Sequence, residues 1–124
     1  MTTLTEKNYQ GDLILFEEDK DFSRELVTIA AGADLTVGAV LGKITASDKY
    51  AHSAPAAVDG SQAPVAVLIE DADAATADVQ AVALVRHARV RRSALNFEAT
   101  IDTVGERNTA VAALQAIGII ASDA

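Results

Sequence analysis

From Arg24 onward the hydrophobic positions recur with a period of two. In "ELVTIA" Leu26 and Thr28 share one face, and the β-branched Val27 and Ile29 lie on the other, which predicts a strand. "AAGADLTVGAVLG" continues with short apolar runs separated by Gly32, Gly38 and Gly42, positions suited to turns or bulges. "KITASDKY" reads as a short strand and turn, and the loop "AHSAPAAVDGSQA" carries the turn pair Asp59-Gly60. Pro64 opens the strand "PVAVLIE", because a first strand position need not donate to a ladder. An acidic loop, "DADAATAD", then leads to one long strand, "VQAVALVRHARVRR", from Val79 to Arg92.

The period changes near the C-terminus. Thr103 and Glu106 have capping-box spacing, with Asn108 as an alternative N-cap, and Val111, Leu114 and Ile117 recur at helical spacing before Gly118. This predicts one short amphipathic helix closed by a glycine, with Ile119 and Ile120 returning to the core. Several strands and one helix, without alternating βαβ units, define a mainly β (α+β) domain. Residues 1–24 stand apart as an N-terminal arm, leaving residues 25–124 as the single folded domain. Positions 1 to 25 hold seven acidic against three basic residues, which disfavours independent collapse, and their one apolar patch is Leu13 to Phe16.

Composition narrows the functional classes. The 124 residues include no cysteine, so disulfides, thiolate metal sites and cysteine nucleophiles are excluded. The longest mostly apolar stretch, Ala110 to Ala121, is broken by Gln115 and Gly118 and falls short of the ~20 residues of a membrane span. Asp71, Asp73 and Asp78 resemble the start of a calcium loop, but position 75 has no Asp or Asn, position 76 no Gly and position 82 no Glu. His52 and His87 are the only histidines, and Ser53 lacks a nucleophile-elbow context. The residues therefore imply no cofactor, no metal and no enzymatic reaction. Lys49 in "SDKYA" is weakly similar to the modified lysine of lipoyl carrier domains, but the matching second hairpin half is missing.

The net charge of −8 makes "LVRHARVRR", Leu84 to Arg92, conspicuous. In a continuous strand Arg86, Ala88, Val90 and Arg92 would share one face, with Val85, His87, Arg89 and Arg91 on the other. A nucleic-acid surface built on Arg86 to Arg92 would call for net positive charge and stacking aromatics, and the chain has neither. Two readings remain: solvated arginines at an exposed strand end, or arginines paired with carboxylates of a neighbouring subunit.

"SRELVTIA" (Ser23 to Ala30), "LTVGAVLGKITASDKY" (Leu35 to Tyr50), "DGSQAPVAVLIEDADA" (Asp59 to Ala74), "VALVRHARV" (Val82 to Val90) and "AALQAIGI" (Ala112 to Ile119) occur in this order. Together they resemble the lambda-type bacteriophage head decoration proteins, particularly a prophage-encoded branch with an extended N-terminal segment. The resemblance covers about Asp12 to Ile119. It implies a small β-clip or β-tulip-like domain that sits as homotrimers at three-fold positions on the outside of the expanded head and reinforces it. It also implies an arm, mobile when free, that adds to a strand of the major capsid protein. The expected location is the virion surface, after synthesis in the host cytoplasm, with no nucleic-acid, membrane or small-molecule partner.

On this basis Leu13, Ile14, Leu15 and Phe16, or Val27 and Ile29, are the expected capsid-binding residues. Arg86, Arg89, Arg91 and Arg92 are expected to pair with carboxylates within the trimer or on the shell. Relatives often carry Trp after the long strand where this chain has Leu95, Asn96 and Phe97, which makes Phe97 the substitute in trimer packing.

Overall fold

A computed structural model describes residues 13–17, 23–98, 100–101 and 103–122. In chain order the strands are β1 (Ile14–Glu17), β2 (Arg24–Ile29), β3 (Ala33–Leu35), β4 (Val40–Lys43), β5 (Tyr50–His52), β6 (Pro64–Leu68), β7 (Ala72–Ala74), β8 (Val79–Leu84), β9 (Ala88–Arg91) and β10 (Ile119–Ser122). Among the described residues a 3₁₀ turn covers Arg92–Ala94, and the α-helix α1 spans Val104–Ala116. The mainly β assignment with a single C-terminal helix holds.

Five strands close a barrel in the order β2-β5-β4-β6-β8, with β8 returning to β2 as a six-residue antiparallel ladder from Arg24↔Leu84 to Ile29↔Val79. Strand alternation explains why both faces of the central strands are apolar. Leu41, Ala66, Leu68, Ala81 and Ala83 point into the barrel, where Val27, Ile29 and Leu35 join them. Val40, Val67, Ile69 and Leu84 point outward into a second core under an outer layer. A five-stranded barrel has a narrow interior, so small alanines alternate there with the larger Val and Leu of the opposite face. The two-stranded ribbon β3-β7 contributes Leu35, Ala72 and Ala74 to the barrel core.

The outer layer is a three-stranded sheet, β1-β9-β10, together with α1. Ala88 and Val90 of β9 face inward and meet Leu13, Leu95, Leu114 and Ile119. The helix begins as its spacing predicts: the Thr103 hydroxyl accepts from the Glu106 N–H at 3.2 Å and donates to the Glu106 carboxylate at 2.9 Å. Leu114 and Ala110 are buried, Val111 and Ile117 pack at the margin of the core, and Gly118 turns the chain with φ +91°. Asn108 lies inside the helix instead of capping it.

Three expectations change. The strand from Val79 to Arg92 is two strands, broken at Val85 to His87, with His87 at φ +47°. Buried Ser23 holds the bend, its carbonyl accepting from Val85 N–H at 2.9 Å and its hydroxyl donating to the His87 carbonyl at 3.0 Å. The break lets β8 serve the barrel and β9 the outer sheet. Second, the acidic segment read as a loop contains β7, whose Ala72 and Ala74 are buried between exposed aspartates. Third, the apolar patch of the N-terminal arm, set apart from the folded domain by its charge, supplies most of strand β1, antiparallel to β9, with Leu13 wholly buried. Long-range pairing anchors Leu13 to Glu17 despite the charge around them. Residues 1–12 of that arm, and Glu18 to Asp21 of its acidic run, lie outside the described residues.

Candidate functional site

The arginines of the basic segment do not form one stripe. Arg86, at the bend, donates to Glu25 Oε2 at 3.0 Å. Arg92, in the 3₁₀ turn, donates to the Asn108 side chain of α1. Only Arg89 and Arg91 project from the outward face of β9, because Ala88 and Val90 occupy its inward face. In register, Arg89 lies between Phe16 of β1 and Ile120 of β10, and Arg91 lies beside Ser122. A bulge between Ile14 and Phe16 sets the β1 side of this row.

Phe16 is 62% exposed, and with His87, Ala88, Arg89, Gly118 and Ile120 it lines an open groove of about 450 Å³. Arg89 is exposed and its guanidinium has no ion pair or hydrogen bond among the described residues, unlike that of Arg24, which makes a bidentate bond to Glu17 at 2.8 and 2.9 Å. Among the described residues this joins an unsatisfied guanidinium to apolar surface on a sheet whose two outer strands, β1 and β10, each pair on one side only.

The other expected contact residues sit differently. Leu13, Val27 and Ile29 are enclosed by the chain's own two cores, so the fold itself satisfies their hydrophobicity. Ile14 and Phe97 pack against the outer core and are half-buried, as is Leu15. Phe16 is therefore the one large side chain of the patch presented to solvent. Leu26, 58% exposed, and Val58, 95% exposed, were missed. The signal for Leu26 was present: it faces away from Val27 and Ile29 on the same strand.

Elsewhere the polar groups serve local structure. Asp71 Oδ1 accepts from Val37 N–H at 3.2 Å and Asp73 Oδ1 from Ala75 N–H at 3.3 Å, so the acidic segment fastens backbone. Asp78 accepts from Ala31 N–H at 2.8 Å and pairs with Lys49 at 2.5 Å; the Lys49 hydrogen bond, then the Ala31 N–H, hold its carboxyl below the usual range. Lys49 follows a turn in which Asp48 adopts φ 59°. The His52 ring bonds the Asn96 carbonyl at 2.8 Å through Nε2. Among the described residues no cluster of three or more His, Cys, Asp or Glu could hold a metal ion. Ser53, buried and with an unpartnered hydroxyl, lines a cleft of about 340 Å³ between α1 and the start of β6.

Residues 3–119 match the family described as bacteriophage lambda head decoration protein D. The chain belongs to that family. No curated protein matches it. As a head decoration protein it is a structural component of the phage head, and its place is on the virion capsid. The match runs from before β1 to the first residue of β10, so the barrel, the outer sheet and the helix all belong to the decoration fold.

Proposed function

We propose that this head decoration protein binds the outer surface of the expanded capsid as homotrimers at three-fold positions and reinforces the shell. The family match across both cores carries the reading. The outward face of β1-β9-β10, with Arg89 on the central strand and Phe16 beside it on β1, supports it as a surface built for association. Residues 1–12 precede β1 directly, and addition of this segment to a strand of the major capsid protein would supply main-chain hydrogen bonds without a deep pocket. Ordering such a segment costs roughly 1–2 kcal/mol per residue in backbone entropy, which three tethered copies offset through high effective concentration. The protein is made in the host cytoplasm and takes no nucleic acid, membrane or small molecule as partner.

Co-sedimentation with undecorated shells tests this. Saturable uptake by expanded but not unexpanded shells, in multiples of three copies, is expected. Deleting residues 2–12 while keeping β1 should weaken uptake without unfolding the chain. Equal uptake by both shell forms would remove the reading of the mature lattice, and no uptake by either would remove the decoration role.

A further inference from the structure

The groove on the outer sheet has a complement on the same chain. On the β3-β7 ribbon Asp34 and Asp73 are directly opposite in the antiparallel register, and both are exposed. Directly opposed residues stand about 5 Å apart at Cβ, and like charges there destabilise a strand pair. The Asp34 carboxylate makes no ion pair or hydrogen bond among the described residues, and the Asp73 carboxylate meets only the nearby Ala75 N–H. Among the described residues the chain thus exposes two facing carboxylates without a cation and, on β9, a guanidinium without an anion. The ribbon plugs the barrel core, whereas Arg89 stands over the outer core. The two features belong to different layers of one subunit.

We propose that in the assembled protein the β3-β7 ribbon of one copy docks against the Phe16–Arg89–Ile120 groove of the next, with Arg89 reaching Asp34 and Asp73. This rests on the trimeric reading above and names the contact that would hold the trimer. A planar guanidinium suits two neighbouring carboxylates and relieves their repulsion. Phe16 and Ile120 exclude water around the pair, which strengthens a charge contact relative to an open surface one. Groove and ribbon are different surfaces, so the contact is head-to-tail, and a head-to-tail contact closes into a ring when its rotation permits.

Charge exchange distinguishes this from a general electrostatic effect. R89E alone, and D34K/D73K alone, should each reduce uptake by expanded shells about tenfold or more, with unchanged circular dichroism. R89E/D34K/D73K, which restores opposite charges at the contact within every ring, should recover to within about threefold of the native chain. Recovery overturns the idea that Arg89 is merely solvated. A triple variant as weak as the two partial variants combined, or an R89E chain that decorates normally, overturns the proposed contact while leaving decoration intact. Native chain that fails to bind expanded shells instead overturns the decoration reading beneath it. As a second readout, the cysteine-free chain allows a background-free crosslink: F16C/D34C retains Arg89 and Asp73. On decorated shells it should oxidise to covalent species that stop at three chains, and fully decorated shells yielding only single chains would overturn the contact.

Discussion

Gly42 lies on the barrel wall against the backbone of the loop before β6. A Cβ added there would lie 2.0 Å from the Ser61 carbonyl oxygen, and backbone on both sides leaves little room to move. Gly42→Ala should therefore destabilise the protein by about 2 kcal/mol or more, read as a lower urea midpoint at unchanged slope. The sequence marked Gly42 as a bulge position, and the register shift between Leu41 and Gly42 agrees with it. It could not show that Ser61, nineteen residues further along, is the group that excludes a side chain. The same limit applies to the arginines. Four of them within seven positions are legible as a cluster, but the bend at His87 separates Arg86 from Arg89 and the 3₁₀ turn separates Arg92 from both.

At the scale of elements, β2, β6 and α1 were readable because their signals are local. Alternation separated the two faces of β2, Pro64 marked the start of β6, and Thr103 with Glu106 marked the start of the helix. β1 and β7 were not, because their stability comes from partners remote in sequence. β7 is three residues long and pairs with β3, about forty residues earlier. β1 sits in an acidic stretch and pairs with β9. Its anchor is Leu13, enclosed among Val90, Leu114 and Ile119 of the outer core. Leu13→Ala should cost about 2–4 kcal/mol in thermal or chemical unfolding, an effect that a residue on a free arm would not produce. A truncation that removes β1 would thus confound folding with capsid binding, whereas one ending at residue 12 separates them.

For the whole molecule the net charge is −8, and among the described residues the acids mostly face solvent or fasten loops. Asp59 is held below the usual carboxylate range by the Ser61 hydroxyl and then its N–H, Asp78 by Lys49 and then the Ala31 N–H, and Glu98 by Thr100. A carboxyl lowered in the folded state stabilises that state at neutral pH. The contribution is lost as pH falls below the unfolded-state value of about 4 and through the lowered folded one. Urea midpoints measured from pH 7 down to about 3 should therefore fall on the acid side. Asp78→Asn should flatten part of that dependence, with its largest deficit against the native chain at neutral pH.

Local pattern along the chain was enough for the mainly β class, the position and cap of the helix, the two-faced alternation of β2 and the resemblance to the decoration family. Each rests on near neighbours in the chain or on a pattern spread along its length. Tertiary structure alone decided that the central strands bury both faces, that "VALVRHARV" divides between two layers, and that Phe16 is presented while Leu13, Val27 and Ile29 are consumed by the fold. The physical reason is common to all three. An apolar residue on a strand must be covered, but which surface covers it depends on the closure of the barrel and on pairings between distant segments.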